Sequence, residues 1–227
     1  MILISVKKIS RLVLYHIVTF SLYLISSAAV SAEVAEDRFI LNGNITLNSI
    51  SELQSRIKDD KPLHAIEFRE SRGSNSSATI ILESLSEIIV SQNLKTYARG
   101  RCASSCAEAF LMGERKTLLP SNSEMPTHLM IHAAYSGRNG EVIYGDSERS
   151  FKKIVARSGG KIQLPLLEKV FETKSPNGGI FIFRDPFTTI YGKYNILFCK
   201  GDEKFAPRTC EPIKDLTLQS LGISIEN

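Results

Sequence analysis

A layered α/β domain is what this sequence predicts, and three observations predict it. Strand-like and helix-like stretches alternate from residue 39 to residue 132, and breaks rich in glycine and small polar residues separate them. The composition, 43% hydrophobic and 23% charged, is that of a folded globular chain and of neither a disordered polymer nor a polytopic membrane protein. At 227 residues the chain has room for one medium domain with a real core.

The elements follow in order. Phe39 to Ile45 reads as a first strand. Ser49 and Glu52 have capping-box spacing, and Ile50, Leu53 and Ile57 then mark one face of a helix that Pro62 closes. Leu63 to Phe68 is a second strand, and Ser71-Arg72-Gly73-Ser74-Asn75 is a turn. Ala78, Ile81, Leu82, Leu85, Ile88 and Ile89 then recur at helical spacing from Ser76 to about Gln92, with Asn75 or Ser76 as cap. Lys95 to Ala98 is the next strand, which completes the strand, helix, strand order of a crossover unit. Gly100 opens a second such turn into an apolar helix, Ala107 to Met112, that stops at Gly113. Thr117 to Leu119 and Leu129 to Ile131 are short strands, the latter ending at His132. Beyond a polar loop at 135–145 the pattern predicts helices at Ser147 to Arg157 and Leu164 to Phe171, and extended chain at Ile180 to Phe183 and Ile190 to Phe198.

The first 32 residues read as a leader. Lys7, Lys8 and Arg11 precede an apolar run from Leu12 to Val30, and small residues at Val30 and Ala32 suit a signal peptidase, which leaves a single domain at 33–227. Export to the periplasm or outside the cell is therefore expected, with a membrane association only if that run is retained as an anchor. The leader holds three Lys/Arg and no acid, so the formal charge of +4 falls to +1 without it. No cluster of Lys/Arg with interleaved aromatics remains, and nucleic acid is not an expected partner. Four cysteines in an exported chain imply bridges, most simply Cys102 with Cys106 and Cys199 with Cys210.

The chemistry-bearing residues are few. A serine at a helix start, Ser104, a histidine at a strand end, His132, and a glycine turn at Gly73 are the parts of nucleophilic catalysis: an imidazole takes the hydroxyl proton, and backbone N–H groups receive the oxyanion. Taken singly each has a plainer reading, Ser104 as a helix cap and His132 as a core residue.

The string Gly100-Arg-Cys-Ala-Ser104-Ser-Cys-Ala-Glu-Ala-Phe-Leu-Met-Gly113, followed by Arg115, Leu119-Pro120 and Leu129-Met-Ile-His132, resembles the ClpP-type serine peptidases of the ClpP/crotonase superfamily. Its Cys-x-Ser-x-Cys core resembles an exported branch of that group. The resemblance covers residues 39 to 132, with a fainter tail near Asp215. It implies repeated ββα layers with a C-terminal extension, a peptide or protein substrate, no cofactor, and assembly as a homo-oligomer. It also implies Ser104 as nucleophile, His132 as general base, and the backbone N–H groups of Ser105 and Gly73 as oxyanion donors. Where the family has Ser-Pro-Gly-Gly, this chain has Ser71-Arg72-Gly73-Ser74, which keeps one glycine. The third catalytic member is expected as an acid before a C-terminal helix, which fits Asp215 ahead of Gly222-Ile223; Glu211, Asp185 or a Ser–His dyad are the alternatives, and Ser105 is the rival of Ser104.

Two further readings compete. Cys102-x3-Cys106 and His128-x3-His132 have zinc-like spacing, but the spacer holds a whole helix and strand and an oxidising compartment removes the thiolates, so no metal is expected. A non-catalytic binding or scaffold protein on the same fold is the stronger competitor, since folds outlive activities. An acyl-CoA enzyme is disfavoured because that cofactor is cytosolic.

Overall fold

The computed structural model describes residues 38–58, 62–74, 77–136 and 139–226. The expected leader, and Asn75 and Ser76 as caps, lie outside the described residues. Among these residues, nine strands form one mixed sheet accompanied by five α-helices. The strands and helices are β1 (Arg38–Asn42), α1 (Leu47–Lys58), β2 (Ala65–Ser71), α2 (Ala78–Ser91), β3 (Lys95–Ala103), α3 (Ser105–Leu111), β4 (Lys116–Leu118), β5 (His128–Ile131), α4 (Tyr144–Arg157), α5 (Leu164–Glu168), β6 (Gly179–Thr189), β7 (Gly192–Cys199), β8 (Glu211–Pro212) and β9 (Ile223–Ile225).

The sheet runs β1-β2-β3-β5-β6-β7-β8. Its first four members are parallel, as strand–helix–strand connections require, and the rest are antiparallel. Strand β3 is the branch point. Thr96–Ala98 pairs with β4, whereas Arg101–Ala103 pairs with β5. The change comes at Gly100, where φ is +72° and β3 carries one residue more than β2 between their flanking pairs. The bulge turns the second half of β3 away from β4 and aims its end at Ser104.

The helices are amphipathic against this sheet. Ile50 and Leu53 of α1, Ile81, Leu85 and Ile89 of α2, Phe110 of α3, and Phe151 and Ile154 of α4 join Ile66 and Phe68 of β2 in one buried cluster. A second cluster, of Phe183, Leu197, Cys199 and Cys210 with Phe181 and Phe187 against it, underlies the antiparallel end.

Several expectations are corrected. The reciprocal cap of α1 is made by Thr46 and Ser49, whose hydroxyls each accept the other's backbone N–H at 3.3 and 3.2 Å, and not by Ser49 and Glu52. Strand β3 continues past Ala98 to Ala103. Ile190, expected in a strand, is exposed in the turn of the β6–β7 hairpin. The segment after Asp215 forms turns rather than a helix before β9 pairs with β4. Both expected cysteine pairs are bonded, Cys102–Cys106 and Cys199–Cys210, with Cα atoms 5.3 and 4.7 Å apart.

Candidate active site

Ser104 occupies a sharp strand-to-helix turn. Strand β3 ends one residue before it and α3 begins one residue after it, and its own backbone sits at φ 58°, ψ −132°. A residue with a β-carbon is held there only when its surroundings over-determine it, and such strain collects at functional sites. Three restraints hold this one. The Ser104 N–H donates to the Met130 carbonyl at 2.9 Å, the Ser104 carbonyl accepts from the Glu108 N–H at 3.1 Å, and the Cys102–Cys106 bridge ties the strand to the helix across the turn. The Ser104 side chain makes no capping hydrogen bond to α3, which removes the plainest explanation of a serine at that position.

Gly73 presses on this turn from the end of β2. A β-carbon at residue 73 would stand 2.7 Å from the Ala103 carbonyl oxygen, 2.8 Å from Ser105 Oγ and 3.0 Å from Ser104 Cβ, and φ is +84°. Only glycine fits. Ser105, buried beneath, accepts the Ser74 N–H on its hydroxyl at 3.0 Å and so pins the glycine loop to α3. The Gly73 N–H is donated to Ser71 Oγ at 3.1 Å. Gly73→Ala is expected to lower stability by about 1–3 kcal/mol, through the strained φ and the clash with the Ala103 carbonyl and the Ser104 and Ser105 side chains, and to disturb Ser104 directly. Urea denaturation checks it; a change below about 0.5 kcal/mol, the level of an ordinary surface substitution, contradicts it.

His132 follows β5. Because β5 lies parallel to β3 with Met130 opposite Ala103, both strands end at the same edge of the sheet, where α/β folds place their ligands. Ser104 and His132 therefore line one cleft, of about 480 Å³. His132 Nδ1 lies 2.7 Å from the Ala133 carbonyl oxygen. A carbonyl only accepts, so Nδ1 carries the proton and the neutral ring keeps a lone pair on Nε2. Burial pushes the His132 pKa below its usual value and outweighs the opposing pull of that carbonyl, which keeps the ring neutral at neutral pH.

The expected acid is not brought to this histidine. Among the described residues no carboxylate is hydrogen-bonded to His132. Asp215 is exposed in the turn ahead of β9 and does not line the cleft. Asp185 is bound to Arg184 at 2.6 and 2.8 Å, and Glu211 to Lys200 at 2.8 Å. The position behind the imidazole belongs to the Ala133 carbonyl. The sulfurs of the zinc-like spacing are bonded to each other, and His128, buried against Phe181 and Phe183, holds the Pro126 carbonyl through Nδ1 at 2.9 Å.

No protein-family model matches this chain, and no curated protein matches it in sequence.

The cleft extends beyond Ser104 between two helical walls. Ser105, Glu108 and Met112 face it from α3 and its C-cap, Leu82 and Ser86 from α2, and Ser150 from α4. Two contacts span the walls: Thr79 Oγ1 donates to Asp146 at 3.0 Å, and Arg149 donates to Glu83 at 3.2 Å. Glu108 was not among the expected site residues. Its signal was a single acid inside the apolar run Cys-Ala-Glu-Ala-Phe-Leu-Met. On the other side, His132 also borders a hollow of about 450 Å³ with Arg72, Arg101, Met125 and Met130 on its lining, so the histidine stands between two spaces that a chain-like substrate could cross.

Proposed function

We propose that this chain is an exported serine hydrolase of the ClpP/crotonase type acting on peptide bonds. The observation that carries the reading is the backbone of Ser104, a non-glycine residue held at φ 58°, ψ −132° at the start of a helix, as in the nucleophile turns of serine hydrolases. In the proposed reaction Ser104 Oγ attacks the substrate carbonyl carbon while His132 Nε2 takes the hydroxyl proton. The bond to the leaving amine then breaks as His132 returns that proton to its nitrogen, and water, deprotonated by the same imidazole, releases the acyl group. The Ser105 N–H, in the first turn of α3, supplies one oxyanion donor. The Gly73 N–H supplies the second by exchanging Ser71 Oγ for the oxyanion. The Ala133 carbonyl orients the imidazole in place of a carboxylate, so the pair works as a dyad. Peptide as the substrate class rests on the sequence resemblance. Export is supported by the two disulfides, which belong to an oxidising compartment. Among the described residues no helix is long and apolar enough to cross a membrane.

The second reading is a binding protein without turnover, favoured by the absence, among the described residues, of a carboxylate hydrogen-bonded to His132 and by the engaged N–H of Gly73. A fluorophosphonate probe separates the two. Labelling of the folded protein at Ser104, lost in Ser104→Ala and retained in Ser105→Ala, is the expected result. No labelling, or labelling that survives Ser104→Ala, overturns the hydrolase reading.

A further inference from the structure

The floor of the cleft beyond Ser104 holds a carboxyl that no proposed catalytic step uses. Glu108 lies one helical turn from Ser104, about 6 Å further along the axis of α3. It is only 7% exposed, and its hydrogen bond comes from the Ser150 hydroxyl. The other charged and titratable groups on the cleft are Glu83 on α2, Asp146, Arg149 and Lys153 on α4, His132 after β5, and Tyr135, whose hydroxyl is hydrogen-bonded to Thr173 Oγ1 at 2.8 Å. Arg149 is taken up by Glu83 and Asp146, Lys153 is exposed to solvent, and His132 holds the Ala133 carbonyl. Among the described residues no cation is paired with Glu108. A buried carboxyl without a counter-ion is costly and uncommon.

A second, independent observation stands on the opposite wall. Ser86 of α2 is 5% exposed, faces the same cleft, and its hydroxyl has no hydrogen-bond partner among the described residues. A buried polar atom without a partner calls for an explanation, and a ligand group is one. Leu82 and Met112 add apolar surface to the lining of the same cleft. The lining of this recess therefore combines a buried carboxyl, a buried hydroxyl without a partner among the described residues, and apolar surface. Its complement is a cationic, donor-rich head on an aliphatic stem, and the offset from Ser104 matches the reach of such a stem.

We propose that the recess formed by Glu108 and Ser86 is a specificity pocket for a lysine or arginine side chain of the substrate, next to the bond presented to Ser104. The proposal rests on the hydrolase reading only for the direction in which the substrate enters; the pocket itself needs no turnover. Burial pushes the Glu108 carboxyl up to about 7, against the Ser150 hydrogen bond, so the empty pocket is half protonated near neutrality. An incoming cation draws the carboxyl to its charged form, and the preference for a cationic side chain strengthens as pH rises through that value.

The test is calorimetric and uses the full chain carrying Ser104→Ala, so that no chemistry intervenes. Nα-acetyl-arginine methylamide is titrated at pH 8 beside its citrulline counterpart, which has the same shape without the charge. The arginine probe is expected to bind about tenfold more tightly or better, the scale of one charge-assisted hydrogen bond. Adding Glu108→Gln is expected to abolish that advantage, and Ser86→Ala to weaken the arginine probe by a smaller factor. Equal affinity for both probes, no binding of either at about millimolar concentration, or discrimination that survives Glu108→Gln each overturns the proposal. Failure of the hydrolase reading shows separately, as absent fluorophosphonate labelling of the unsubstituted protein.

Discussion

Glu67→Ala is expected to cost about 3 kcal/mol of stability at pH 7, the lower end of the range for breaking a buried ion pair by removing one partner. Glu67 is 2% exposed on β2, in the middle of the parallel half of the sheet. Its carboxylate accepts from Arg69 Nε at 2.6 Å, Arg99 Nε at 3.1 Å and Arg38 Nη1 at 3.4 Å. The three arginines come from β2, β3 and β1, so one acid ties three neighbouring strands on the sheet face opposite Ile66 and Phe68. Alanine would leave Arg69 and Arg99 converging without that anion, and Arg38 with only the exposed Glu226 carboxylate, 3.7 Å from its Nη2. The cost stays at the lower end because the arginine side chains are 39%, 26% and 14% exposed, Arg99 also donates to the Pro120 carbonyl, and Arg38 also lies over the Tyr97 ring. Burial acting alone would raise the Glu67 pKa, yet the bonds and charges of Arg69 and Arg99 together hold it below its ordinary value of 4.5. An acid depressed in the folded state contributes stability above its unfolded pKa, and that contribution is lost as pH falls through the folded value. The unsubstituted protein is thus expected to weaken below about pH 4.5 by a step that Glu67→Ala lacks. Urea midpoints across pH 3 to 7 check both parts. A loss under about 1 kcal/mol at pH 7 would mean that solvent already satisfies the arginines.

How much of this was legible in the sequence depended on whether the signal was local. The α2 helix was readable because Ile81, Leu85, Ile88 and Ile89 repeat at its own period and are buried in the fold. The parallel sheet was readable from strands alternating with helices. The hairpin at Ile190-Tyr191 was not, because two residues of high strand propensity occupy its turn and tertiary pairing of Thr189 with Gly192 overrides them. Strand β9 was out of reach for a different reason: its partner, β4, lies more than a hundred residues earlier, and three residues carry no period. In the candidate site, Cys102 and Cys106 flanking Ser104 marked the turn that their bridge now clamps. The residue identities said nothing of the left-handed backbone at Ser104, since serine rarely adopts it and no propensity argument would place it there. Nor could they show that Gly73 lies where a β-carbon would stand 3.0 Å from Ser104 Cβ, which is a fact of how β2 and β3 end together. The position behind His132 was misplaced because the expected acid rested on a resemblance in the C-terminal tail, where the chain forms turns.

The second large effect has the opposite sign. Glu108→Gln is expected to stabilise the protein by about 2 kcal/mol at pH 8 and to destabilise it by about 1 kcal/mol near pH 4.5, so that the two stability curves cross. A carboxyl raised from 4.5 to about 7 by burial stays protonated in the folded state while the unfolded chain ionises. Its favourable contribution is complete below about pH 4.5, falls as pH rises, and is gone above about 7, a total of about 3 kcal/mol for a shift of this size. Glutamine is neutral at every pH and escapes that loss. Its amide can still accept from Ser150 through the oxygen, but its NH₂ group enters a site built for an acceptor, which costs about 1 kcal/mol throughout. The difference between variant and parent isolates Glu108, because the buried histidines and the Glu67 cluster titrate alike in both. Urea unfolding at intervals from pH 4.5 to 9 reads the crossing directly. A flat difference would mean that a counter-ion or water neutralises Glu108 in solution, and the specificity pocket would then lose its unpaired anion. A crossing at about pH 5 would show that the fold carries, above neutrality, an acid that lowers its own stability, and residues retained at such a cost belong to sites where a ligand returns what folding gives up.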